Sequence, residues 1–128
     1  MTGRAKRGYR SQVLDHFHHP RNAGVSQGHT HSYLEQDNPW GVRLLFTARV
    51  QEGHIQEVRF QARSCVTTTA CASALTEMVW GKSLGYALSL TPEALSAYLG
   101  TVPEEKMYCC RLAVDTLHKA LRTPGPAG

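Results

Sequence analysis

The sequence predicts an α+β fold in which a small three-stranded antiparallel sheet packs against several helices. In the middle of the chain, apolar and polar residues alternate in runs that a glycine-containing turn separates, and this two-residue period is typical of strands. After residue 65 the apolar residues recur at helical spacing instead. Because the strands come before these helices and do not alternate with them, we expect an antiparallel meander.

The length and composition predict one domain in a soluble protein. The 128 residues suffice for one ordinary core, and we expect residues 9–122 to form it between two flexible tails, a basic one over residues 1–8 and another over residues 123–128. Part of the net charge of +4 comes from the first tail, so nucleic-acid binding is not expected. The sequence has no apolar run of roughly 18 residues and no signal-peptide pattern, which predicts a cytoplasmic protein that does not bind membranes.

The first half of the chain predicts one helix followed by three strands. An amphipathic helix begins at Tyr9, and Pro20 ends it. His16 and the two histidines that follow it are expected to be solvated cations near the helix C-terminus. A turn at residues 51–54 joins the two longer strands in a hairpin. The three expected strands cover residues 29–36, 44–50 and 55–62.

The second half predicts four further helices. Three threonines at residues 67–69 offer N-caps to the first of them, which is rich in small residues and stops at Gly81. Pro92 suits the first turn of the third. The last has an apolar stripe along one face and charged residues on the other. The expected helices cover residues 70–80, 83–88, 91–100 and 103–121.

The cysteines are the candidate functional residues, and two of the four lie where helices begin. Cys65 follows the last strand, and Cys109 lies near the start of the last helix. A helix N-terminus stabilises a thiolate, which both nucleophilic sulfur chemistry and metal ligation require. Cys71 is expected in the core. Cys110 lies on the apolar stripe, which favours core packing, although a residue of the first helical turn can also be a ligand.

Five sequence motifs occur in order over residues 9–121, and together they carry a resemblance. They are Y-x-x-x-V-x-D-H-F-x-x-P-R-N-x-G from Tyr9, G-x-I-x-E-V-R-F from Gly53, C-V-T-T-T-A-C-A-S-A-L-T-E from Cys65, G-K-S-L from Gly81, and C-x-x-L-A-x-D-x-L-x-x-A-L from Cys109. In this order they resemble the IscU and NifU N-terminal-domain family of iron–sulfur cluster assembly scaffolds.

The resemblance implies a protein on which a [2Fe–2S] cluster is built. In that family a cysteine desulfurase supplies persulfide sulfur, iron is bound, and the cluster passes to recipient proteins. The implied cofactor-binding residues are Cys65 and Cys109, and the implied metal ligands are these two together with Cys110. Iron or a [2Fe–2S] cluster is the expected cargo, with zinc as an alternative metal. The implied partners are a cysteine desulfurase and recipient proteins, and a homodimer is left open.

The sequence also departs from the family pattern at the other ligand positions. Trp40 stands where the family has its first cysteine, and Val42 stands where it has an aspartate. The stretch that a dedicated chaperone recognises is reduced to Pro103 and Lys106, so no such chaperone is expected. The resemblance implies that Trp40 lies with Cys65 and Cys109 at one end of the sheet.

Three hypotheses therefore stay open from the sequence. The chain is an atypical scaffold with an incomplete thiol site, a degenerate scaffold that acts as an adaptor or regulator of a desulfurase without holding a cluster, or a sulfur carrier. No nucleophile paired with a base and no phosphate-binding loop is visible in the sequence, so we do not expect an enzyme.

Overall fold

The computed structural model describes residues 8–125 and confirms the predicted fold class. Its three strands form one antiparallel sheet in which the order of the strands across the sheet follows their order in the chain. Residues 1–7 and 126–128, which include most of the first predicted tail and the end of the second, lie outside the described residues. In chain order the elements are α1 (Tyr9–His18), β1 (His31–Glu35), β2 (Arg43–Gln51), β3 (His54–Arg63), α2 (Val66–Val79), α3 (Leu84–Ser89), α4 (Pro92–Tyr98), a 3-10 turn (Glu104–Lys106) and α5 (Met107–Leu121).

The central strand of the sheet is β2, and its alternating pattern sets which face the helices cover. Leu44, Phe46 and Ala48 are fully buried on one face, as their two-residue spacing predicts. The predicted hairpin turn between β2 and β3 is present. Its two central residues, Glu52 and Gly53, have φ angles of +53° and +75°. Positive φ at both positions matches the twist of the flanking strands, and glycine adopts it without strain.

Helix α2 lies at the centre of the packing and begins earlier than the sequence predicts. It starts at Val66, so the threonines expected as caps lie inside the first turn, and Cys65 is the N-cap residue in an extended conformation. Strand β3 runs to Arg63, which leaves only a two-residue connection before the helix. This short connection places Cys65 at the end of the sheet, directly at the helix N-terminus.

The prediction that His16 is solvated is wrong, whereas the two histidines that follow it are exposed as predicted. His16 is 5% exposed, and its Nδ1 lies 2.9 Å from the hydroxyl of Ser73 on α2. The same hydroxyl accepts a hydrogen bond of 2.8 Å from the backbone amide of Arg21. Because α1 packs lengthwise on α2, the histidine on its inner face is enclosed, and the D-H-F-x-x-P-R-N motif joins the two helices.

The chain after α5 returns to the edge of the sheet. The amide of Ser32 donates to the carbonyl of Thr123 at 3.3 Å, and the amide of Gly125 donates to the carbonyl of Thr30 at 2.6 Å. The second predicted tail therefore begins with residues that hydrogen-bond to β1 and its flank. This pairing covers backbone groups at an edge strand, where they would otherwise be free to bind another chain.

Replacing His16 by alanine tests the link between α1 and α2. We expect the variant to lose about 2 kcal/mol or more of unfolding free energy, because it removes a buried hydrogen bond and leaves a void. Urea denaturation measures this loss, and the exposed His18→Ala is the matched control, expected to change stability by less than about 0.5 kcal/mol. Equal stability of the two variants would contradict the structural role of His16.

Candidate functional site

Two of the four thiols meet where the N-terminus of α2 approaches the first turn of α5. Cys65 is exposed at the N-cap of α2, and Cys109 is fully buried as the third residue of α5. The buried hydroxyl of Thr68 lies 3.4 Å from Sγ of Cys65, and side-chain interactions link this hydroxyl and the thiols of Cys65 and Cys109. The structure thus brings together the two thiols that sequence reasoning singled out.

The two thiols of this pair differ in acidity. Partial burial would raise the pKa of the Cys65 thiol, but hydrogen bonds from the hydroxyl and amide of Thr68, from Cys109 and from the amide of Thr67 outweigh it and lower the pKa. Burial raises the pKa of the Cys109 thiol, and a negative charge on Cys65 raises it further. Cys65 is therefore the thiol that ionises first, and it is also the one that solvent reaches.

The other two thiols lie in the core. Cys110 is fully buried, and its Sγ lies 3.9 Å from Sγ of the equally buried Cys71. The hydrogen bond with Cys110 and burial raise the pKa of Cys71 well above its usual value. The structure therefore directs Cys110 toward Cys71 in the core packing, whereas its neighbour Cys109 faces Cys65.

An aromatic stack lies beside the thiol pair. The rings of Trp40 and Tyr108 are stacked, with centroids 5.5 Å apart and an interplanar angle of 18°. The Tyr108 side chain also interacts with the thiol of the adjacent Cys109, and this interaction contributes to raising the pKa of Tyr108. Trp40 is 51% exposed. Since Trp40 reaches Cys109 through Tyr108, the loop before β2 lies at the same end of the sheet as both thiols, as the sequence predicts.

The loop that carries Trp40 is held by the side chain of Asn38. Its Oδ1 accepts hydrogen bonds from the amides of Trp40 at 3.2 Å and Val42 at 3.0 Å, and its Nδ2 donates to the carbonyl of Val42 at 2.9 Å. Val42 is 3% exposed and packs in the hydrophobic core. The two positions at which the sequence departs from the family pattern therefore differ in environment, because one faces solvent and the other is buried.

The donors near the thiol pair are few. In residues 8–125 no group of three or more histidine, cysteine, aspartate or glutamate side chains is placed to hold a metal ion. From the aromatic stack, an open groove of about 640 Å³ extends along α5 past Arg111, His118 and Lys119. A metal at this end of the protein would therefore meet two thiol donors, an aromatic wall and open solvent.

Sequence reasoning missed two residues of the site, Thr68 and Tyr108. Thr68 was expected to cap the helix, but α2 begins before it, which turns its hydroxyl back toward the N-cap thiol. A threonine three residues after an N-cap cysteine is the signal that would have indicated this contact. Tyr108 immediately precedes Cys109, yet its stacking on Trp40 joins residues far apart in sequence, and no local pattern predicts such a pair.

Comparison with known proteins gives a consistent set of relatives. Residues 8–123 match the family model described as the NifU-like N terminal domain. The chain is 40% identical over 117 residues to the iron-sulfur cluster assembly scaffold protein IscU of Aquifex aeolicus, covering 89% of this chain and 74% of that protein. It is 34% identical over 115 residues to the nitrogen fixation protein NifU of Azotobacter chroococcum, covering 88% of this chain and 37% of that protein.

A solved structure shares the fold. The N-terminal NifU-like protein of Brucella abortus superimposes with a TM-score of 0.75 at 13% identity, over 89% of this chain and 92% of that one. At this identity the likeness concerns the fold alone. Across the described part of the chain, no helix is long and apolar enough to cross a membrane.

Replacing Thr68 by valine tests how the site lowers the pKa of Cys65. Valine keeps the shape of the buried side chain but removes the hydroxyl that hydrogen-bonds the thiolate, so the pKa of Cys65 should rise. The rate at which iodoacetamide alkylates Cys65 follows the thiolate fraction, and its pH midpoint should therefore move to higher pH. Thr69→Val, one residue along the same helical turn, is the matched control and should leave the midpoint in place. An unchanged midpoint in Thr68→Val would contradict the assigned hydrogen bond.

Proposed function

The chain belongs to the family of NifU-like N-terminal domains, and from this membership and its thiol pair we propose that it is an iron–sulfur cluster assembly scaffold-like protein. It binds iron or a [2Fe–2S] cluster, or carries sulfur, through an incomplete thiol site. The contact between Cys65 and Cys109 carries this proposal, because it places an exposed, more acidic thiol against a second thiol at one end of the sheet. Soft thiolates are the donors that iron–sulfur clusters use.

The number of donors sets how strongly the site holds its cargo. An all-cysteine [2Fe–2S] cluster uses four thiolates, and the site offers two. Binding through two thiolates leaves iron positions open to solvent or to a second protein, which suits a carrier that must release what it holds. Cys65 is the first ligand in this proposal, and Cys109 becomes available when the Tyr108 side chain moves away from it.

Cys110 is the third thiol that the resemblance implies as a ligand. Its contact with Cys71 in the core supports a packing role more than a ligand role. Zinc would require four donors in tetrahedral arrangement, and the site offers two. A second copy of the chain or a partner protein could supply the missing ligands of a cluster, so we expect zinc to bind more weakly than such a cluster.

The proposed partners follow from the proposed chemistry. A scaffold of this kind takes sulfur from a cysteine desulfurase and passes clusters to recipient proteins, and the exposed Cys65 is the group that would accept a persulfide. The role is that of a carrier, and we propose no catalysed reaction for the chain. The four free thiols fit a reducing compartment, and we place the protein in the cytoplasm.

The adaptor hypothesis is not favoured. The relatives at 40% and 34% identity have names that refer to cluster assembly and to nitrogen fixation, and neither name describes a regulator. An adaptor also has no need for a thiol of lowered pKa in contact with a second thiol. A sulfur carrier uses the same two thiols as a scaffold, so persulfide transfer and cluster assembly are two activities of one proposed site.

Anaerobic reconstitution with iron and sulfide tests the proposal directly. We expect wild-type protein to bind iron and sulfide substoichiometrically, with charge-transfer absorption that is lost in Cys65→Ala and in Cys109→Ala, because each removes one of only two thiolates. The buried Cys71→Ala is the matched control and should retain the uptake. Iron analysis measures the bound metal, and absorption spectra measure the charge-transfer bands, in the wild type and in each variant.

Two outcomes of this experiment would contradict parts of the proposal. Unchanged uptake of iron and sulfide by Cys65→Ala would show that the thiol pair is not the binding site. The adaptor hypothesis would then be favoured. A stable stoichiometric cluster that survives loss of Cys110 would show a further ligand beyond the thiols considered.

Returning a thiol to the position of Trp40 should strengthen the site. Trp40 is half exposed and its loop is held by Asn38, so Trp40→Cys should fold normally and raise iron uptake above wild type. Trp40→Ser is the matched control, since it opens the aromatic stack equally without adding a thiolate. An equal gain in iron uptake in Trp40→Cys and Trp40→Ser would show that access to the thiol pair, and not the number of thiolate donors, limits iron binding.

The second replaced position behaves differently. Val42 is buried in the core, so Val42→Asp places a carboxylate there and should cost about 3–5 kcal/mol of stability when it is ionised without a partner. Thermal melts of Val42→Asp and of its isosteric control Val42→Thr separate this cost from any gain in metal binding. A stable, fully folded Val42→Asp variant would show that this loop can turn the carboxylate out toward the thiols.

A further inference from the structure

The described thiols form two pairs, and only one of them has a member in contact with solvent. Cys65 is exposed and its side chain interacts with that of the buried Cys109, whereas Cys71 and Cys110 are both fully buried with their sulfurs 3.9 Å apart. An oxidant in solution can therefore reach only the first pair without unfolding. Within that pair it reaches Cys65, because Cys109 has no exposed surface.

The surroundings of Cys65 favour attack by its sulfur on an electrophile. Cys65 occupies the N-cap of the 14-residue helix α2, and its sulfur lies 3.4 Å from the Thr68 hydroxyl. Both contacts stabilise the thiolate, which is the form that reacts with peroxides and disulfides. The neighbouring Cys109 thiol, held by the same threonine, is placed to attack Cys65 once that sulfur has become electrophilic.

We propose that Cys65 and Cys109 form a reversible intramolecular disulfide on reaction with a hydroperoxide, and that this bond withdraws both thiols from cluster assembly. The formation of the bond depends on the two thiols alone. Its consequence for assembly rests on the proposed function of the site.

The reaction proceeds in two balanced steps. The Cys65 thiolate attacks the terminal oxygen of the hydroperoxide, the O–O bond breaks, and a sulfenic acid forms while the leaving oxygen takes up a proton as water or an alcohol. The Cys109 sulfur then attacks Cys65, the S–O bond breaks, and the departing hydroxide combines with the Cys109 proton as water. The two sulfurs give up two electrons in total, and the peroxide accepts them.

The burial of Cys109 also sets the route of reduction. A dithiol reductant reaches only the Cys65 sulfur, so it forms a mixed disulfide there and releases the Cys109 thiol into its protected position. The Tyr108 side chain, which hydrogen-bonds Cys109 and stacks on Trp40, keeps an external thiol from that side of the bond. The pair thus returns to its starting state with both thiols free.

Mass spectrometry of the full chain tests the inference. Reduced protein, freed of reductant under anaerobic conditions, is treated with hydrogen peroxide in the presence and absence of dimedone, which traps sulfenic acids. We expect the wild type to lose the mass of two hydrogens, to show a cross-linked peptide joining Cys65 and Cys109, and to form little dimedone adduct. The loss should be reversed by a dithiol.

Matched variants assign the steps. Cys109→Ser should accumulate a sulfenic acid at Cys65 that dimedone traps, and Cys65→Ser should give neither adduct nor bond. Cys71→Ala removes the buried pair and should behave as wild type. Wild-type protein that accumulates the dimedone adduct without the cross-link, or that cross-links Cys71 to Cys110 instead, would overturn the inference.

Iron uptake in the same samples separates this inference from the proposed function. One result is that reduced protein takes up iron and sulfide while peroxide-treated protein takes them up only after a dithiol is added. This result would support both the disulfide and the scaffold function. If the disulfide forms but even reduced protein takes up no iron, the bond stands and the scaffold function fails. If reduced protein takes up iron but peroxide produces no bond, the scaffold function stands and the disulfide inference fails.

Discussion

The packing of α2 between α1, the sheet and α5 is the constraint on which the rest of the structure depends. Small side chains make this central position feasible, and three alanines along the helix, Ala70, Ala72 and Ala74, are fully buried. Because α2 follows β3 after only two residues, its N-terminus is fixed at one end of the sheet. The first turn of α5 reaches the same end, so the contact between Cys65 and Cys109 results from how the core is filled.

The difference in acidity between the two thiols links metal binding to proton release. Cys65 loses its proton first, and its negative charge then opposes the loss of the second proton from the buried Cys109. In the proposed function, a cation at the pair would cancel that opposition, so iron binding and the second ionisation would depend on each other.

The fold could be predicted from sequence more completely than the site. The alternation in β2 and the helical spacing after residue 65 involve residues only two to four positions apart in the sequence, and the structure confirms the strand and the helices that these patterns predict. The burial of His16 was missed because it requires knowing that α1 lies along α2 and that Ser73 faces it. The start of α2 was missed because threonine suits an N-cap and also suits the end of a strand, so three consecutive threonines do not show where the helix begins. The helix can begin at Val66 because β3 already ends at Arg63.

The loop that carries Trp40 and Val42 is organised by side chains of this chain itself. Asn38 holds the loop through hydrogen bonds to the amides of Trp40 and Val42 and to the Val42 carbonyl, so a single side chain fixes the loop backbone. Trp40 uses its exposed position to stack on Tyr108. The Tyr108 side chain in turn interacts with the thiol of Cys109, so the aromatic pair lies beside the buried thiol. Because the aromatic pair lies beside a fully buried Cys109 while Cys65 is exposed, Cys65 is the thiol of the pair that a molecule in solution meets first.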